Sequence, residues 1–140
     1  MARAESYRQL VEARAGGSCE YCRLIQSAAG VTFHIEHVRP RSRRGRTMMS
    51  NLALSCPGCN LAKAGRVSGK DQTGRTWRLF NPRDYDPWLL GWHLHFMLDR
   101  TSGVIQARTP RGEATVSTLR MNDAVRVFAR KLQIVTGLIA

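Results

Sequence analysis

Two short cysteine pairs constrain this chain more than anything else in its 140 residues: Cys19-Glu20-Tyr21-Cys22 and Cys56-Pro57-Gly58-Cys59. Four thiolates presented from two tight turns match the tetrahedral, sulfur-rich shell of a structural Zn²⁺. No cysteine is left over. In a reducing compartment the alternative of two disulfides is disfavoured, and one redox-type pair alone would say little. The expected cysteine ligands are therefore Cys19, Cys22, Cys56 and Cys59. The 33 residues between Cys22 and Cys56 exceed the roughly 15–20 of a simple zinc ribbon. Loop closure costs rise only logarithmically with length, so one metal can clamp both ends of a folded insert. That insert is where chemistry is expected.

The insert opens on Val31-Thr32-Phe33-His34-Ile35-Glu36-His37-Val38, whose alternation predicts a strand. A regular strand would put His34 and Glu36 on one face and His37 on the other, so a site using all three requires the strand to end or bulge near His37. Pro40 favours an ending. The next segment, Arg39-Pro40-Arg41-Ser42-Arg43-Arg44-Gly45-Arg46, holds five arginines in eight residues and reads as an exposed loop. A second strand, Asn51 to Ser55, leads into the second cysteine pair, where Pro57 suits a helix start and Asn60 to Lys63 its first turns.

The charge balance points the same way. Lys and Arg number 22 against 10 Asp and Glu, a formal charge of +12 and a pI near 11.0. Nineteen of those basic residues are arginine, whose planar fork suits phosphate oxygens. A polyanionic partner is the natural inference, against the blander reading of a soluble basic surface. The longest nearly apolar run, Trp88 to Leu98, is interrupted by His93 and His95 and is too short to cross a bilayer, and no apolar leader follows Met1. We therefore expect a cytoplasmic protein without membrane contact.

The segments His34-Ile35-Glu36-His37-Val38-Arg39-Pro40-Arg41-Ser42 and Ser50-Asn51-Leu52-Ala53-Leu54-Ser55-Cys56-Pro57-Gly58-Cys59-Asn60-Leu61-Ala62-Lys63 resemble the HNH endonucleases, also called ββα-metal or His-Me finger nucleases. The likeness is to the small stand-alone branch whose finger is flanked by two zinc-binding CxxC pairs. It is strongest over residues 7–66. The stretches Leu79 to Arg83, Gly112 to Val116 and Leu119 to Asn122 look like the C-terminal extension of such members. The resemblance implies an α+β fold: one HNH domain over 1–140, with a finger core near 19–66 and an extension near 77–140, preceded by an N-terminal helix.

It also implies roles. His37 matches the general base, and phosphodiester hydrolysis needs such a base because water is a poor nucleophile. A neutral imidazole is required, which neighbouring arginines favour. Glu36 and Asn60 match the ligands of a catalytic divalent metal, Mg²⁺ or Mn²⁺, as hard oxygen donors. Asn51 matches the middle residue of the motif, tying loop to strand. His34 is a further candidate ligand. Lys63 is a candidate phosphate contact beside Arg39, Arg41, Arg43, Arg44 and Arg46. The sequence departs from the family where Asn60 replaces a frequent His and Glu36 a frequent Asp; both keep oxygen ligation. The family implies DNA as substrate, with RNA open, and products bearing a 5′-phosphate and a 3′-hydroxyl.

Each residue also has a plainer reading. His37 alone is a strand-end histidine, Glu36 an arginine partner, Asn51 and Asn60 turn or cap residues, and the arginine loop a solvated one. On that view the chain is a non-catalytic zinc module that binds nucleic acid, or one that binds protein.

Outside the finger, Ser6 to Ala15 reads as an amphipathic helix with Tyr7, Leu10 and Val11 on one side, stopped by Gly16-Gly17. Residues 67–78 read as an exposed loop. The run from Trp88 to Met97 is expected to be a strand with His93 and His95 on one face as structural residues, followed by a Ser102-Gly103 turn into 104–107. Asn122 is expected to cap a last helix that buries Val125, Phe128, Leu132 and Val135 and leaves Arg126 and Arg130 in solvent.

Overall fold

A computed structural model describes residues 3–140, and it is α+β. Helix α1 (Arg8–Ala15) follows a 3-10 turn at Ala4–Tyr7 and ends where Gly16 adopts a left-handed φ of 63°. Val11 and Ala15 are buried, whereas Leu10 faces solvent. The α1 residue Arg14 donates to the carbonyl of Met49 at 2.7 Å and to that of Leu52, fastening the helix to the finger.

The finger itself is β1 (His34–His37), β2 (Leu52–Ser55) and α2 (Pro57–Lys63). The strands pair antiparallel from His34 opposite Ser55 to His37 opposite Leu52. β1 is shorter than the expected 31–38: Val31 and Thr32 are exposed and outside the ladder. Cys56 is the N-cap of α2, with Pro57 at the first helical position.

Residues 67–78 are not the expected loop. They hold a hairpin, β3 (Ser68–Lys70) and β4 (Thr76–Arg78), in register from Ser68 opposite Arg78. Asp71 closes its turn, accepting from Thr73, from the backbone of Arg75 and from the Trp77 indole. The polar composition hid this because the turn is held by one carboxylate rather than by an apolar face.

The expected strand from Trp88 is instead helix α3 (Trp88–His95) running into β5 (Phe96–Leu98). A nearly apolar run carries no clear period, so packing decides it. Here the i,i+4 pair Trp88 and Trp92 turns inward, and the Arg23 guanidinium lies 5.9 and 5.0 Å from their ring centroids. His93 and His95 therefore do not share a strand face. His95 lies between the hydroxyls of Tyr85 (2.9 Å) and Thr109 (2.6 Å), and His93 packs edge-on against Trp92.

β5 pairs with β6 (Ile105–Ala107), and α4 (Pro110–Leu119) and α5 (Ala124–Val135) complete the chain. Asp123, not Asn122, caps α5; Asn122 instead clamps both backbone polar groups of Ile105 at 2.8 Å. One buried apolar cluster runs from Val11 through the cysteines and β2 to Trp92, Leu119 and Met121. Helix α5 joins it by the face opposite to the expected one. Arg126, Arg130 and Gln133 are buried, and Val125, Phe128, Leu132 and Val135 are exposed. The polar face wins because it satisfies groups that apolar side chains cannot. Arg130 donates to the carbonyls of Gly103 and Met121 at 2.8 Å, and Gln133 pairs with both backbone groups of Ile25.

Candidate functional site and cysteine centre

The two knuckles bring the sulfurs of Cys19, Cys22, Cys56 and Cys59 within 4.8 Å of one another, all buried. Tetrahedral zinc with about 2.3 Å bonds sets its sulfurs near 3.8 Å apart; Cys22 and Cys56 are at 3.6 Å. The donor set therefore fits one structural Zn²⁺. Arg126 Nη1 reaches Cys59 Sγ at 3.0 Å, and Arg126 also donates to the carbonyls of Leu119 and Arg120. Burial opposes its charge, yet the sulfurs of Cys59, Cys22 and Cys56 hold its pKa above the ordinary arginine value. Neither Arg126 nor Arg130 has a carboxylate at ion-pair distance among the described residues.

The first knuckle also touches the finger. Glu20, buried, accepts from the backbone N–H of Leu54 at 2.8 Å and pairs with Arg83. Tyr21, next to it, donates its buried hydroxyl to Glu36. Nothing in the sequence marks Tyr21 or Arg83 for these contacts, because each spans more than a dozen positions.

On β1, strand alternation separates the residues as the period of two requires. Glu36 is 6% exposed and faces inward; His37 is half-buried on the other side, toward the arginine loop. The His37 Nε2 is 2.8 Å from the Thr47 hydroxyl. Burial first, and then the charge of Arg41, holds the His37 pKa below its ordinary value of 6.5. His34 is exposed at the start of the strand, and among the described residues it joins no cluster of histidine, cysteine or carboxylate groups.

Asn51 links strand and loop. Its Oδ1 accepts from the Arg39 N–H at 2.9 Å, and its Nδ2 donates to the carbonyls of Arg39 (3.0 Å) and Arg46 (2.8 Å). The loop between closes on itself: Gly45 N–H reaches the Pro40 carbonyl at 2.9 Å, and a Cβ at Gly45 would stand 1.7 Å from the Arg39 carbonyl oxygen. Only glycine fits there. Arg39, Arg41, Arg43, Arg44 and Arg46 are all exposed around this ring.

Lys63 is not on that surface, which corrects the expectation of a phosphate contact. It is 2% exposed and donates to the Val38 carbonyl at 2.8 Å, with Glu36 Oε2 at 3.4 Å. Its ammonium completes the backbone at the end of β1 and balances a buried carboxylate. Burial raises the Glu36 pKa, opposed by Lys63 and by the Tyr21 hydrogen bond. Both Glu36 oxygens are thus engaged from inside, one by Tyr21 and one by Lys63. A carboxylate and the Asn60 amide are suitable hard donors by chemistry, and a divalent cation at Glu36 would share its oxygens with Tyr21 and Lys63.

An antiparallel strand pair, a helix entered through a cysteine knuckle, and a histidine beside a basic loop define a ββα finger braced by a four-cysteine centre. Residues 19–66, about a third of the chain, match the family model described as HNH endonuclease. No curated protein and no solved structure gives a match to the chain. No helix among the described residues is long and apolar enough to cross a membrane.

Proposed function

We propose that the finger is an endonuclease that hydrolyses phosphodiester bonds of DNA, nicking or cutting it, with cleavage dependent on Mg²⁺ or Mn²⁺. The supporting observation is the placement of His37: a half-buried imidazole, its pKa depressed, bordered by a ring of exposed arginines. The tautomer in which Nε2–H donates to Thr47, 2.8 Å away, leaves Nδ1 to take a proton from water. The arginines grip phosphates on either side without reading bases, which supplies salt-sensitive affinity and holds the scissile bond over the ring. Asn51 keeps the loop, and so the phosphate, in register with β1.

A second reading is a nucleic-acid-binding zinc module without turnover. The engagement of both Glu36 oxygens by Tyr21 and Lys63 favours it, because a cation there competes with a buried ammonium and a hydroxyl for the same carboxylate. The two readings separate on supercoiled plasmid incubated with Mg²⁺ or Mn²⁺. Nuclease action predicts metal-dependent relaxed or linear product, lost by about a hundredfold or more in His37→Ala while fold and zinc are retained. Binding without cleavage, equal for both proteins, favours the module. Running a structured RNA beside the plasmid assigns the nucleic acid.

A further inference from the structure

Helix α5 turns its apolar side away from its own chain. Val125 is 77% exposed, Phe128 63%, Leu132 49% and Val135 75%, while Arg126, Arg130 and Gln133 fill the inner face. The spacings of three, four and three place these four side chains in one stripe, the a/d seam of a heptad. Leu138, 47% exposed, follows beyond the helix. Among the described residues the stripe has no partner, and Lys131 is the only charged residue among the exposed positions of α5.

The stripe is palindromic. Val125 and Val135 lie equally far from position 130, as do Phe128 and Leu132. Two copies of α5 laid antiparallel about a two-fold axis at that level set Val125 against the partner's Val135 and Phe128 against the partner's Leu132. The large aromatic meets the mid-sized aliphatic, and every contact is made twice, as a two-fold interface requires. Lys131 falls opposite the partner's Ala129, so no like charges meet along the seam, although each chain carries +12. An acidic partner has nothing on this face to grip except Lys131. The exposed apolar area is on the order of 500 Å² per copy, so the pair removes about 1,000 Å² from water, the lower bound for a specific interface.

We propose that the protein forms a two-fold dimer through antiparallel packing of α5, independently of what the finger does. Because the seam is solvent-exposed in one copy, its substitutions leave the single chain folded, which makes the register testable. Sedimentation equilibrium on nucleic-acid-free, zinc-loaded protein in high salt should give a mass that climbs to twice that of one chain with concentration from the low micromolar range upward. Phe128→Lys and Leu132→Glu should each be monomeric with unchanged circular dichroism. Mixing these two variants should restore the dimer, because the register pairs the new lysine with the new glutamate and leaves the other Phe128–Leu132 contact intact. A wild-type protein monomeric at every concentration overturns the proposal, including one that instead binds anionic vesicles through this face. Variants that dimerise as tightly as wild type, or a mixture that stays monomeric, overturn it too.

Discussion

Arg126 places its guanidinium 3.0 Å from the sulfur of Cys59 and has no carboxylate at ion-pair distance among the described residues. Zinc held by the four thiolates would carry a net charge of about −2 and would give the two buried arginines of α5 an anionic counterpart. Arg126→Met should weaken zinc binding by about tenfold or more, read by chelator competition. His37→Ala serves as the control and should bind zinc as wild type does. Equal zinc affinity in Arg126→Met would show that the contact is packing alone.

On the proposed nuclease reading, the depressed His37 pKa sets the acid limb of cleavage. The active imidazole is neutral, so activity is full above its pKa in the folded protein and falls as pH drops through it, below the ordinary 6.5. Arg41→Gln removes one of the two influences that depress it. Cleavage in that variant, scaled to its own high-pH plateau, should therefore fade at higher pH than in wild type, while the plateau itself drops with the lost phosphate contact. Plasmid nicking across a buffer series measures the midpoint, and a limb that stays put or moves down contradicts the assignment.

Lys63 offers a choice between two roles. As the buried counter-ion of Glu36, its replacement in Lys63→Met should cost about 3–5 kcal/mol of stability, because a carboxylate is left inside without compensation. Urea unfolding monitored by tryptophan fluorescence reads this. A phosphate contact would instead weaken nucleic-acid binding and leave stability untouched.

Asn51→Ala cuts three hydrogen bonds to loop backbone and should cost about 1–3 kcal/mol. The distinctive result is local: faster proteolysis at the arginines between 39 and 46, with α1 and α5 as protected from hydrogen exchange as in wild type. Uniform loss of protection would mean that Asn51 supports the whole finger.

The finger was largely legible in the sequence because its determinants are local. Cysteine spacing, one alternating strand, a proline-led helix and a breaker-rich arginine loop each announce themselves within a few positions. Asn51, Cys56 and Gly45 lie where their neighbours require them. The failures share a cause. Trp88 to Met97 has no period to read, and Lys63, Arg126 and Arg130 are charged side chains whose burial depends on partners far along the chain: Glu36, Cys59, Gly103. For α5 the amphipathic pattern was clear and its orientation was not, since hydropathy cannot show that an inward face needs donors for carbonyls and thiolates. Tyr21 lies inside the first cysteine pair and Arg83 in a stretch resembling the family's extension, but neither position announces its buried partner, Glu36 or Glu20.

The ring between residues 39 and 46 takes its shape from main-chain atoms gripped by a single amide. Its side chains are not all equal: Arg39 Nε donates to the Arg43 carbonyl at 2.7 Å, Arg43 Nε to the Gly65 carbonyl at 3.3 Å, and Arg44 sits at a left-handed φ of 66°. A descendant could trade Arg46 for another residue, retuning grip or preference, without having to reinvent the loop; Gly45 is denied that latitude.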